Sequence, residues 1–119
     1  MLIEILKPDF MFSDERGSLF QLCHEGYKQF NIVFSKKGVI RGNHYHKKNK
    51  EVFFVVSGSF ELIVSKNDKE EKYIFKKGDM FLIPPKVLHS FFYYEDTYLA
   101  AMYDFGVENV GDKIDIYSE

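Results

Sequence analysis

Residues 38–58 read GVIRGNHYHKKNKEVFFVVSG, and three groups able to bind a metal or carry a proton fall inside them: His44, His46 and Glu51. A fourth, His89, follows in IPPKVLHS, so three of the four histidines lie in two short segments. Histidine titrates near neutral pH and ligates metals as the neutral ring, so such a cluster points to chemistry. Parity says how the cluster can close. His44 and His46 differ by two and share one face of a strand, about 6.6–6.8 Å apart along it. Glu51 has the opposite parity, and a reversal through the polar, turn-prone KKNK is needed to return it beside His46. From there Glu51, Phe53, Val55 and Ser57 share one face, and Val52, Phe54 and Val56 the other. Both faces are apolar, so this strand is expected to be covered on both sides, by the interior and by another layer or subunit. A homodimer follows as an expectation.

Outward from this stretch, short apolar runs alternate with turn signals, the pattern of a sandwich or barrel. Strands are predicted near Leu2–Leu6, Ser18–Cys23, Phe30–Phe34, Val39–Arg41, His44–His46, Val52–Ser57, Phe60–Ser65, Lys72–Phe75, Met80–Ile83, Ser90–Tyr94 and Tyr98–Asp104. Between them stand ERG, SKKG, KKNK, SGS, KNDKEE, KKGD, PPK and YED, where Gly, Asn and Asp supply unusual backbone angles and lysines keep loops hydrated. No amphipathic helix stands out; the C-terminal VENVGDKIDIYSE is the one ambiguous segment. The 13 Phe and 8 Tyr, with no Trp, are large β-favouring side chains. The chain reads as all-β, and its 119 residues as one domain, 1–119.

Composition narrows the function. A net charge of -2 argues against a general nucleic-acid binder, which needs a basic footprint. No apolar run is long enough to span a bilayer, and MLIEILKPDF lacks the features of a signal peptide. One cysteine, Cys23, permits no internal disulfide and suits a reducing compartment. A cytoplasmic chain is therefore expected. Of 16 basic residues only Arg16 and Arg41 are arginine, each followed by glycine. Two arginines in a lysine-rich chain suggest bidentate contacts to phosphate or carboxylate; ordinary surface or ion-paired roles are the alternative. His24 lies apart and reads as a loop residue.

The spacing G-x5-H-x-H-x4-E-x6-G, met at Gly38, His44, His46, Glu51 and Gly58, resembles the first motif of the cupin family. The second, G-x5-P-x-G-x2-H-x3-N, is met at Gly78, Pro84 and His89, with Lys86 in place of Gly and Tyr93 in place of Asn. The resemblance implies a small β-barrel of jelly-roll type. DERGSLFQL, with Asp14, Arg16 and Gly17, is similar to the early D-x-R-G segment of nucleotide-sugar epimerases and ketoisomerases. GVIRGNHYH resembles a segment of dTDP-4-dehydrorhamnose 3,5-epimerases and of dTDP-sugar 3,4-ketoisomerases. GNHYHKKNKEVFFVVSG is also similar to the cupin domain of capsular-polysaccharide epimerase–reductases. These 3,5-epimerases have longer chains, and the ketoisomerases place Gln where this chain has Glu51 and work without metal.

The resemblance implies an isomerase or epimerase of a nucleotide-linked 4-keto-6-deoxy sugar. His44 and His46 would serve as bases. Arg41, Tyr45 and Tyr93 would stabilise an enolate oxygen or return a proton, and Arg16 and Arg41 would hold the substrate. His44, His46, Glu51 and His89 form the candidate metal set, for Zn, Mn, Fe or Ni; the ketoisomerase reading needs no cofactor. Two alternatives remain: a metal-dependent cupin oxygenase or related small-molecule enzyme, and a ligand-binding cupin without catalysis.

Overall fold

The computed structural model describes residues 1–108 and 114–118. Among them are twelve strands and no helix: β1 (Glu4–Leu6), β2 (Phe10–Asp14), β3 (Gly17–Gln21), β4 (Gln29–Ser35), β5 (Ile40–Tyr45), β6 (Glu51–Ser57), β7 (Ser59–Lys66), β8 (Lys69–Lys76), β9 (Met80–Ile83), β10 (Leu88–Tyr93), β11 (Thr97–Tyr103) and β12 (Tyr117–Ser118). The ambiguous C-terminal segment lies partly outside the described residues, at 109–113 and 119, and partly in β12. No helix is long and apolar enough to cross a membrane among the described residues.

The strands form two antiparallel five-stranded sheets, β1-β9-β6-β11-β4 and β12-β5-β10-β7-β8, and the separate hairpin β2-β3. From β4 to β7 and again from β8 to β11 the chain changes sheet at every connection, so the fold is a jelly-roll sandwich. No strand ladder closes one sheet onto the other among the described residues, so the expected barrel is an open pair of sheets. KKNK is accordingly not a hairpin turn: β5 and β6 lie in different sheets, and the loop carries the chain across the sandwich.

Alternation of apolar residues along β6, β7 and β11 builds the core between the sheets. Val55, Phe60, Leu62, Val64, Phe81 and Leu99 are almost fully buried there. Phenylalanine rings run through it, with Phe75 stacked on Phe81 at 4.2 Å and Phe53 on Phe81 at 5.1 Å. Where β6 turns into β7, only glycine fits: Gly58 has φ +99, and a Cβ there would run into the Thr97 side chain and stand 2.6 Å from the Asp96 carbonyl.

The outer face of β6 is covered as its pattern requires, but by the chain itself. Val52 and Phe54 pack with Met80, Met102, Leu22, Cys23 and Tyr27, and the Phe20 ring lies 5.0 Å from Phe54. A second subunit is therefore not what buries this strand. Val56 stays half exposed because a register shift at Tyr98/Leu99 bulges it out of the ladder. The half-buried Cys23 thiol faces the Met102 sulfur at 3.7 Å, and burial pushes its pKa up, as suits an inert thiol.

Candidate active site

Three strands bring the ligating groups together. His44 and His46 come from β5 and its exit, Glu51 opens β6, and His89 lies on β10. Ligand atoms of His44, His46 and His89 all lie within 4.8 Å of one another. Glu51 Oε1 stands 3.2 Å from His46 Nε2 and 3.7 Å from His89 Nε2. His46, Glu51 and His89 are buried, and His44 is partly exposed.

The decisive local feature is a bulge. β5 pairs with β10 as His44↔His89 and Arg41↔Phe91, with a register shift that leaves Asn43 unpaired beside Gly42. Gly42 takes φ +100 and Asn43 φ +59; a Cβ on Gly42 would meet the His89 carbonyl at 2.7 Å. On a regular strand Arg41 and His44 would face opposite ways. The extra residue turns both to the inner face, and both line one cavity of about 120 Å³ with Glu51, His89, Tyr93 and Tyr103.

Hydrogen bonds set the state of each ring. His46 Nδ1 donates to the Asp115 carbonyl at 2.6 Å and His89 Nδ1 to the Val87 carbonyl at 3.0 Å, so both Nε2 atoms point inward. His46 Nε2 stands at hydrogen-bond distance from Glu51 Oε1, so a proton is needed between these two acceptors, whereas His89 Nε2 at 3.7 Å makes no hydrogen bond to it. Burial lowers the affinity of His46 for that proton, but Glu51 and the Asp115 carbonyl outweigh it and raise its pKa. Burial pushes His89 down to about 4, and its Nε2 is the one buried side-chain polar atom left without a partner among the described residues. Burial, and then the neighbouring His46, lower His44 as well; near neutral pH it is an uncharged base facing the cavity.

A divalent metal, implied by the cupin resemblance, fits this donor set. The partnerless His89 Nε2, the inward Nε2 of His46 and the Glu51 carboxylate offer mixed N/O ligation, and the carbonyls on the two Nδ1–H groups are the outer support such ligands use.

Arg41 is held in place: its Nε donates to Ser35 Oγ at 2.7 Å and its Nη2 to the Phe34 carbonyl at 3.1 Å. Tyr93, fully buried, lines the cavity, and burial raises its hydroxyl pKa. Lys86 adopts φ +69, the left-handed conformation the glycine of the motif would take, and its N–H donates to the His46 carbonyl at 2.6 Å. The turn thus keeps its shape despite the substitution.

Two candidates fall elsewhere. Tyr45 alternates with His44 and His46, so its ring lies on the other side of β5, stacked on Tyr117 at 5.6 Å. There it lines an open groove of about 700 Å³ with Lys66, Asp68 and Lys86. That groove is larger than the inner cavity but holds no histidine. Arg16 lies at the tip of the β2-β3 hairpin, paired with Asp14 at 2.6 Å and 80% exposed, and it does not line the cavity of its own chain. Conversely, Tyr103 was not singled out by sequence. It pairs with Glu51 across β11 and β6, lines the cavity, and burial with the adjacent Glu51 raises its hydroxyl pKa strongly. Its parity with Leu99 and Ala101 was the available signal.

A jelly-roll sandwich with a histidine-lined cavity between its sheets defines a cupin-type protein. The chain belongs to the polysaccharide biosynthesis C-terminal domain family, whose profile matches residues 12–92. Among solved structures, the WlaRB TDP-quinovose 3,4-ketoisomerase of Campylobacter jejuni is 20% identical with TM-score 0.78, over 95% of this chain and 92% of that one. The dTDP-4-dehydrorhamnose 3,5-epimerase of Sulfolobus tokodaii is 27% identical with TM-score 0.75, over 87% and 70%. A variant of the 3,4-ketoisomerase QdtA from Thermoanaerobacterium thermosaccharolyticum, in complex with TDP-4-keto-6-deoxyglucose, is 21% identical with TM-score 0.76, over 87% and 80%. Among curated proteins, the 3-hydroxyanthranilate 3,4-dioxygenase of Nematostella vectensis is 34% identical over 89 residues, 71% of this chain and 33% of that one. The chain spans a third or less of the length of the curated relatives it matches.

Proposed function

We propose that this chain is a single cytoplasmic cupin domain that isomerises or epimerises a nucleotide-linked 4-keto-6-deoxy sugar in surface-polysaccharide synthesis. The observation that carries this reading is a partly exposed His44 facing the same small cavity as Arg41 and Tyr93, in a fold shared with enzymes of that chemistry. His44 takes the proton from the carbon beside the ketone, and the electron pair moves onto the carbonyl oxygen to give an enediolate. The Arg41 guanidinium and the Tyr93 hydroxyl stabilise that oxygen. Return of the proton to the former carbonyl carbon, with the hydroxyl proton of the neighbouring oxygen passing to the former carbonyl oxygen, moves the ketone; delivery to the original carbon from a donor on the opposite face inverts the centre. His46, Glu51 and His89 form the buried wall behind the base. If a divalent ion is bound, His44, His46, Glu51 and His89 are its ligands and it supplies Lewis-acid polarisation of the carbonyl.

At about 120 Å³ the cavity is well below the ~300–1,000 Å³ of a whole-ligand pocket, so it suits the sugar end and leaves the nucleotide outside. A second copy would complete the site. Phe30 and Ile32 on the edge strand β4 are 63% and 71% exposed, and Phe10, Met11, Phe12 and Leu19 on the hairpin are at least half exposed. Exposed apolar residues of this kind suit an association face, and Arg16 at the hairpin tip would then be offered to the partner's substrate. Sedimentation should find a homodimer that Ile32→Lys converts to monomer; a monomeric unmodified chain would remove this part of the proposal.

The reaction is tested by incubation with TDP-4-keto-6-deoxyglucose in deuterium oxide, followed by NMR. Deuterium should enter the ring carbon beside the ketone. No exchange across a panel of nucleotide-linked 4-keto-6-deoxy sugars would sink the reading. The likeness to a dioxygenase and the His/Glu donor set favour a second one, a metal-dependent oxygenase. Stoichiometric redox-active metal in untagged protein, with oxygen uptake and no sugar exchange, would select it.

A further inference from the structure

One buried network stands outside the proposed chemistry. Asp115 is 2% exposed, and its carboxylate accepts hydrogen bonds from Lys47 N–H at 2.8 Å, Lys48 N–H at 3.0 Å, Asn49 N–H at 3.0 Å and Asn49 Nδ2 at 2.8 Å. Three successive backbone N–H groups converging on one carboxylate make an anion nest, and here the anion belongs to the chain. Asn49, also fully buried, takes the N–H groups of Phe105 and Gly106 on its Oδ1 at 3.0 and 2.9 Å. The main chain of Asp115 is committed as well. Its N–H donates to the Val107 carbonyl at 2.9 Å, and its own carbonyl accepts from His46 Nδ1 at 2.6 Å.

The two buried histidines are therefore oriented by different means. His89 bonds the carbonyl of Val87, two residues away, which its own strand supplies. The carbonyl that orients His46 comes from 69 residues along the chain and is in place only when Asp115 is seated. A neutral imidazole without such an acceptor carries its proton on either nitrogen and is free to flip.

We propose that Asp115 is a positioning residue of the active site: its carboxylate, seated on the N–H groups of the Lys47–Asn49 loop, brings its carbonyl to His46 and fixes the tautomer and direction of that ring. The expected effect on turnover rests on the proposed sugar chemistry; the state of the ring does not.

The test is 15N NMR of the full chain with labelled histidines. His46 Nδ1 should carry a proton whichever state Nε2 is in. In Asp115→Ala, at a pH where the ring is neutral, that signature should give way to shifts averaged over both nitrogens, while His89 keeps its Nδ1–H. Asp115→Asn retains an acceptor for Lys47 but turns an NH2 group toward the N–H of Lys48 or Asn49, and should give an intermediate result if Asp115→Ala does not fold. Sugar exchange should fall about 10- to 100-fold in kcat with KM little changed. A bare Nδ1 on His46 in the unmodified chain overturns the proposal without any variant, as do unchanged His46 shifts in a folded Asp115→Ala. If the ring responds as expected in a chain that exchanges no sugar proton, the positioning role stands and the sugar chemistry fails.

Discussion

His44→Asn is expected to lower kcat for proton exchange by about 10²–10⁴-fold, the contribution of a positioned general base, with the fold intact. His44 is the histidine of the three that lines the cavity while remaining partly exposed. Among the described residues its ring has no hydrogen bond to a distant segment comparable to that of His46. Asparagine keeps a polar side chain of similar reach at the bulge but has no nitrogen that accepts a proton near neutral pH. Stability should change little, because a partly exposed ring contributes little buried area. The measurement is single-turnover deuterium exchange beside a urea-unfolding curve. Exchange within a few-fold of the unmodified rate, at unchanged stability, would remove His44 as the base. Metal analysis of the same variant separates its two roles, since loss of a bound ion together with exchange would make His44 a ligand.

Acid should weaken the fold through His89, by about 3 kcal/mol between pH 6.5 and about 4. Burial holds His89 at about 4 in the folded chain, against 6.5 when exposed, and each tenfold change in proton affinity is worth about 1.36 kcal/mol. In that window the unfolded chain binds a proton that the folded chain refuses, so stability falls as pH falls. His44, also lowered by burial, has the same sign. His46 is raised, so its contribution is fully present below pH 6.5 and is lost only as pH rises through its folded value; it does not offset the acid loss. Urea unfolding of chelator-treated protein across this window, compared with His89→Asn, isolates the contribution of this ring. The variant starts less stable because an amide replaces a buried ring, but its acid slope should be much shallower. Equal slopes would place the acid sensitivity elsewhere.

The fold class was legible because period-two patterning is local. Every strand predicted from it overlaps an observed one, and Val39–Arg41 and His44–His46 are the two ends of β5 on either side of its bulge. Of the strands missed, the short β12 falls in the ambiguous C-terminal segment. The other, β2, is exposed along most of its length, so it lacks the alternation that betrays a half-buried strand. Of the candidate site, His44, His46, Glu51 and His89 lie close together, whereas Tyr45 and Arg16 do not reach the cavity. Tyr45 alternates with its histidine neighbours, which puts its ring on the opposite face of β5. Arg16 was tied to the site by resemblance, and nothing local states that its hairpin stands apart from the two main sheets.

By itself, then, the sequence determined an all-β chain, most strands of its two sheets, and the four groups that meet at its centre. Each follows from side-chain period or from fixed motif spacing. Tertiary structure alone decided that Arg41 joins His44 on one face, since a bulge changes parity only through its partner strand. It alone brought Tyr103 beside Glu51, through a pairing made across the sheet. It also set the tautomer of His46 from Asp115, a contact between residues too distant along the chain for any local pattern to announce.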